Sequence, residues 1–243
     1  MIEVKQLVKV FEDRTVLDGL NITFETGKTN LIIGRSGAGK TVLLKCVIGL
    51  IEPTSGAVLY DGRDLVKMQK SELLNLRREV GMLFQGSALF DSMTVMENVL
   101  FPMEMLSKMS KAQRKDRATD LLERVGLIDA RHKYPSDISG GMMKRAAIAR
   151  ALALEPRYLF CDEPNSGLDP KTSITIDELI HGLTAEFGIT TIVNTHDMNS
   201  VRKIGDKIIF LRKGKKEWEG SSATIDETDS PVLLSFINAA KMA

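Results

Sequence analysis

Cysteine is nearly absent: the 243-residue chain has two, Cys46 and Cys161, in apolar surroundings far apart in the sequence. That excludes a disulfide framework and reads as small buried hydrophobes in a reducing compartment. An excess of either charge is also lacking, with 33 Lys and Arg against 32 Asp and Glu, a formal net charge of +1. A surface dominated by nucleic-acid binding is thereby excluded, though a local basic patch is not. Long apolar runs are missing too: the run 99–103 stops at Glu104, far short of the roughly 18 residues a membrane span needs. The start, Met1-Ile2-Glu3-Val4-Lys5, has neither the basic residues nor the apolar stretch of a signal peptide. No internal repeat or low-complexity linker is visible. The expectation is a cytoplasmic globular chain whose membrane role, if it has one, depends on a partner.

What the chain does have is glycine at telling spacings. Gly34-Arg35-Ser36-Gly37-Ala38-Gly39-Lys40-Thr41 directly follows the apolar run Leu31-Ile32-Ile33. The pattern G-x-x-x-x-G-K-[ST] between a strand and a helix forms a phosphate loop. Its glycines let consecutive N–H groups turn towards anionic oxygens at a helix N-terminus. Lys40 supplies a point charge for β- and γ-phosphates, and Thr41 a hydroxyl for Mg²⁺. Binding of a nucleoside triphosphate is the expectation.

Tyr158-Leu159-Phe160-Cys161-Asp162-Glu163 is an apolar strand ending in two carboxylates. A rigid strand end would let Asp162 orient Mg²⁺ and Glu163 position or deprotonate an attacking water. By itself the pair could equally be a solvated acidic strand end. Ile138-Ser139-Gly140-Gly141-Met142 is a second glycine loop opening a helix. Alone it reads as a tight turn with a serine cap. One nucleotide does not need two anion cradles from one chain, so the alternative is that this loop closes on a nucleotide held by another copy.

Elsewhere, 2–25 reads as antiparallel strands with Asp18-Gly19 as the turn, and 80–84 as a strand ending in Gln85. From there to about 153 the pattern is helical. Thr94-Val95-Met96-Glu97 and Ser110-Lys111-Ala112-Gln113 have capping-box spacing, with Gly126 as a stop. Strand and helix alternate again over 158–194, and Ser230-Pro231 opens a C-terminal helix over about 230–241.

In this context the chain resembles the ATP-binding cassette ATPases over nearly its whole length. Gly34–Thr41 resembles their Walker A motif, Phe160–Glu163 the end of Walker B, and Ile138–Met142 their LSGGQ signature, with Met142 replacing the polar amide. Gln85 matches the Q-loop, Ser166-Gly167-Leu168-Asp169 the D-loop, and His196 in Thr195-His196-Asp197 the switch histidine. The resemblance implies an α/β phosphate-loop (RecA-like) core, an N-terminal antiparallel β subdomain, and a helical subdomain inserted at about 87–153, all in one domain over 1–243. It implies Mg²⁺-dependent ATP hydrolysis by a homodimer. Glu163, His196 and Gln85 would serve catalysis, and Thr41, Gln85 and Asp162 the metal. Gly34, Arg35, Ser36, Gly37, Ala38, Gly39, Lys40 and Thr41 would hold nucleotide, with Ser139, Gly140 and Gly141 acting in trans. Phe11 stands where the family stacks an aromatic on adenine; otherwise it is a core residue of the N-terminal sheet. Bare Gln85 and His196 would read as a polar loop residue and a structural histidine.

The stretches 81–95 and 139–147 look like the Mla-type ATPases of bacterial phospholipid transport. That finer resemblance implies a transmembrane permease, a mammalian-cell-entry-type lipid-binding subunit and a small cytoplasmic regulator, with this chain on the cytoplasmic face of the bacterial inner membrane. The alternatives are the ATPase of a polar-solute importer, and a soluble cassette ATPase acting on nucleic acid or the ribosome. Nucleic acid is not an expected partner. Met82, Met93, Met96, Met103, Met105, Met109, Met142 and Met143 would form either an adaptable docking surface or the packing of a small helical subdomain. The basic run 108–117 is either a lipid-facing patch or a solvated helix face.

Overall fold

The computed structural model describes residues 1–241. Strands β1 (Ile2–Phe11) and β2 (Arg14–Phe24) form a hairpin. β4 (Ser55–Tyr60) pairs with the other edge of β1, and the short β5 (Arg63–Asp64) pairs with β4. The hairpin turn falls at Glu12-Asp13, not at Asp18-Gly19. Glu12 takes a φ of 50°, and Gly19, at 64°, lies within β2. Register shifts on either side of Leu7 show why. The left-handed residues Gln6 and Gly19 absorb bulges that bend the hairpin, so the glycine marks a bulge instead of a reversal.

The second sheet has six strands in the order β10, β9, β3, β8, β7, β6. They are β3 (Thr29–Ile33), β6 (Val80–Leu83), β7 (Tyr158–Asp162), β8 (Thr190–Thr195), β9 (Lys207–Arg212) and β10 (Lys215–Gly220). All run parallel except β10, which is an antiparallel edge. Both faces of the parallel strands are covered, which is why they read as unbroken apolar runs. Ile32, Phe160, Ile192 and Ile209 point to a core shared with β1, β2, β4 and α1 (Lys40–Ile48). Leu31, Leu159, Val193 and Ile208 point to the opposite core, which the remaining large helices cover.

Those helices are α3 (Val95–Leu106), α4 (Lys111–Arg124), α5 (Gly140–Ala151), α6 (Pro170–Phe187), α7 (Met198–Ile204) and α8 (Pro231–Lys241). Both expected capping boxes form, at Thr94/Glu97 and Ser110/Gln113. Gly126 follows α4 with a φ of 64°, and Leu127 N–H reaches back to Leu122 O at 2.8 Å to close the helix. The Met-rich stretch is mainly packing: Met103 is fully buried, and Met96, Met109 and Met142 lie against the same core. Met105 is the exposed exception. α2 (Lys70–Arg78) and α7 have no counterpart in the sequence reading. Among the described residues no helix is long and apolar enough to cross a membrane.

Candidate active site

β3, buried along its length, delivers the chain to Gly34 with no space for a side chain. Gly34 has a φ of 152°, and a Cβ there would lie 2.3 Å from Leu211 O on β9. The loop then bends into α1 through Gly39, whose φ is 106°. No side chain caps α1, so the N–H groups of its first turn are left for an anion. Lys40 Nζ donates to Gly34 O at 2.8 Å and stands 3.8 Å from Glu163 Oε1. In this arrangement it is poised over the loop, ready to exchange a carbonyl for a phosphate oxygen.

Glu163 closes the opposite wall. Its backbone is left-handed, φ 48°, an uncommon state for a residue with a Cβ. Two hydrogen bonds hold it: Glu163 N–H to Asn194 O (3.0 Å), and Ser166 N–H to Glu163 O (3.1 Å). That conformation turns the carboxylate between Lys40 and His196, whose Nδ1 lies 2.8 Å from Glu163 Oε2. The imidazole is largely exposed at the end of β8. A cavity of about 690 Å³ is lined by Arg35–Val42, Gln85, Glu163 and His196, together with Arg14, Val16, Phe236 and Ala239.

Asp162, one residue earlier, is steered by buried Asn194, whose Nδ2 donates to Asp162 Oδ1 at 3.1 Å. Gln85 Nε2 donates to Ser166 Oγ at 3.1 Å, and its amide oxygen has no hydrogen-bond partner among the described residues. A Thr41 hydroxyl, an Asp162 carboxylate oxygen and a Gln85 amide oxygen are the hard donors Mg²⁺ prefers. Asn194 Oδ1, buried and without a hydrogen-bond partner among the described residues, is an acceptor that suits a water of such an ion's shell. The residues present therefore fit Mg²⁺.

Other expected residues lie elsewhere. Phe11 is neither on the cavity lining nor in the sheet's core; it is 42% exposed, with Lys9 Nζ 4.9 Å from its ring centre. The loop Ser139–Gly141 is also off that lining. Ser139 Oγ accepts from Met142 N–H at 3.3 Å and caps α5. A Cβ on Gly141 would meet Thr172 Cγ2 at 2.5 Å, so this loop packs on the start of α6. Asp169 caps that helix through Thr172 N–H at 3.0 Å. Hydrogen bonds from the Thr172 hydroxyl and then its N–H hold the Asp169 carboxyl below its ordinary range. Sequence reasoning read Ser166 only as part of the D-loop and missed its bond to Gln85; it missed Arg14, Val16, Asn194 and α8's Phe236 altogether, all brought in by packing and not by a local pattern.

Fold and site together define a phosphate-loop ATPase cassette. The ABC transporter family model matches residues 17–166, and the chain belongs to that family. A methionine import ATP-binding protein, MetN of Haemophilus influenzae, is 42% identical over 229 residues, 93% of this chain and 66% of its own length. This chain therefore spans about two thirds of that relative. A probable ribonucleotide transport ATP-binding protein, mkl of Mycobacterium leprae, is 36% identical across 99% of this chain and 70% of its own. Among solved structures, dimeric MJ0796 in a post-hydrolysis state with ADP and Pi aligns at TM-score 0.81 with 34% identity, covering 91% of this chain and 99% of its own. The cassette cbiO1 of Clostridium perfringens, part of the cbiONQ complex, aligns at 0.87 with 27% identity, covering 99% and 96%. The chain is accordingly an ATPase whose ligands are ATP and Mg²⁺.

Proposed function

We propose that the chain is the ATP-hydrolysing subunit of a membrane importer, working as a homodimer on the cytoplasmic face of the membrane. The observation that carries the chemistry is Glu163, held between Lys40 and His196 above the uncapped start of α1. The phosphate chain of ATP lies along Gly34–Thr41, with Lys40 on its outer phosphates. Glu163 accepts a proton from the water that attacks the γ-phosphorus, and ADP leaves. His196 stabilises the γ-phosphate oxygens while its bond to Glu163 fixes the ring. Thr41, Asp162 and Gln85 would hold Mg²⁺, which when bound would supply neutralisation of charge on the phosphates. Ser139–Gly141, remote from the cavity of its own chain, faces the nucleotide of a second copy.

A permease docks beside this motor on a groove of about 340 Å³ lined by Phe84, Phe90, Phe101 and Leu106. Phe84, Phe90 and Leu106 are each more than 40% exposed, an anchor pattern suited to an amphipathic helix. The groove's lining includes Phe84 and Ala88, which flank Gln85 in the chain, so movement there would be passed to the active site.

For the cargo, relatives named for methionine import favour a small polar solute. The expectation of a phospholipid cargo, with a mammalian-cell-entry-type subunit, draws no support from them. It survives as a second reading on one observation, the likeness of 81–95 and 139–147 to the Mla-type ATPases. A nucleic-acid or ribosomal role has no such support. Purifying the complex from native membranes and measuring ATPase stimulation by amino acids and by phospholipid separates the two. The importer reading expects a solute-binding subunit and stimulation by its solute; a lipid-binding subunit with stimulation by phospholipid alone would replace it.

A further inference from the structure

Lys144 is 4% exposed on α5, and among the described residues no carboxylate pairs with it. A buried ammonium without a counter-ion is rare, because desolvation disfavours it and an apolar side chain of similar size would fill the space without that penalty. Its hydrogen bond is to one atom, the main-chain oxygen of Gln85. Further along the same helix, Arg150 donates to Ser87 O at 2.8 Å and Ala88 O at 2.7 Å. Two cations of α5 thus grip the segment 85–88, in which Ser87 and Ala88 both carry left-handed backbone (φ 62° and 50°). Between those cations, Ala146–Ala149 are fully buried, so the helix that carries them is a fixed reference. On its other side Gln85 is tied to Ser166 through Nε2, and among the described residues nothing bonds its amide oxygen.

We propose that Lys144 is a positioning residue for hydrolysis: it fixes the Gln85 main chain to α5 and thereby sets where the Gln85 amide oxygen stands at the metal. The inference rests on the reading of Gln85 as a metal-facing residue. It explains why a charge is kept where packing asks for none. Because Ser139 caps α5 and Gly140 begins it, it also gives the helix that carries the second glycine loop a direct hold on Gln85.

The test uses the purified full chain and compares Lys144→Met, which conserves volume and removes the donor, with Lys144→Arg and Gln85→Ala. For Lys144→Met the expected result is a kcat lower by about tenfold or more, as for other small misplacements of a catalytic group. Its KM for ATP stays close to wild type, half-saturation by Mg²⁺ shifts to higher concentration, and Tm is unchanged or higher because a buried charge has gone. Lys144→Arg, which keeps the charge and the donor, restores much of the rate. Wild-type kcat and Mg²⁺ response in Lys144→Met would overturn the inference, as would a fall in rate that only follows a fall in Tm. Normal activity in Gln85→Ala would instead remove the reading on which it rests; a defective Gln85→Ala beside a normal Lys144→Met defeats this inference alone.

Discussion

At the scale of single residues, Glu163 is defined less by its neighbours in sequence than by Lys40 at the start of α1 and by Asn194 and His196 at the end of β8. Glu163→Gln keeps size and hydrogen bonding but loses basicity. It is expected to bind ATP as wild type does and to turn over about 10²–10⁴-fold more slowly; equal rates by phosphate release would contradict the assignment. Lys40→Ala is expected to weaken nucleotide binding itself, measured by titration with labelled ATP. Cys46 and Cys161 are fully buried, and burial pushes the Cys46 thiol up to about 11 and that of Cys161 further. Neither is expected to react with a disulfide reagent at neutral pH in the native chain, and both should react after denaturation. The phosphate loop and the Asp162-Glu163 pair were legible because their chemistry is local in sequence. The roles of Asn194 and Lys144 were not, since nothing adjacent to a lone asparagine or lysine says which carboxylate or carbonyl it will meet.

At the scale of elements, helix boundaries carried by short-range rules were legible. Thr94 and Glu97 satisfy each other's backbone at the start of α3, and Thr94→Ala is expected to cost about 1 kcal/mol in denaturant unfolding. Glu97 gives the matching pH dependence. A hydrogen bond from Thr94 N–H, then one from its hydroxyl, holds Glu97 below its ordinary value of 4.5. A group with a lowered folded-state pKa contributes in full above its unfolded value and loses that contribution as pH falls through the folded one. The Tm gap between wild type and Glu97→Ala should therefore be present at neutral pH and close in acid below 4.5. A gap that does not change with pH would contradict it. The misreadings at this scale have physical causes. Gly19 signals a left-handed residue, and a bulge uses one as readily as a turn does. α7 has seven residues, too few for helical periodicity to show, and α2 buries only Leu76 fully.

At the scale of the whole molecule, the parallel core and the antiparallel sheet were legible as classes, but their assembly was not. β3 sits between β8 and β9, strands more than 150 residues further along the chain, and no local signal encodes that order. The same packing lays Phe236 of α8 against Phe210, ring centres 5.2 Å apart, and so brings the C-terminal helix to the cavity wall. Cargo was the least legible property. On the proposed reading the permease holds it, so no side chain of this subunit touches what is transported.

Two copies of the chain, each lending Ser139–Gly141 to the other's nucleotide, are the central claim at this scale. ATP must favour the closed pair over separate chains, and equal affinity for both would move nothing. Blocking hydrolysis with Glu163→Gln should let that closed pair accumulate. Sedimentation velocity of the Glu163→Gln chain with and without ATP is the most direct measurement, repeated with Ser139→Arg added. The expected result is a species of twice the 26.9 kDa chain mass only with ATP, and its loss in the double variant while ATP is still bound. A Glu163→Gln chain that binds ATP and stays single, or a pair that forms regardless of Ser139→Arg, would contradict the composite site.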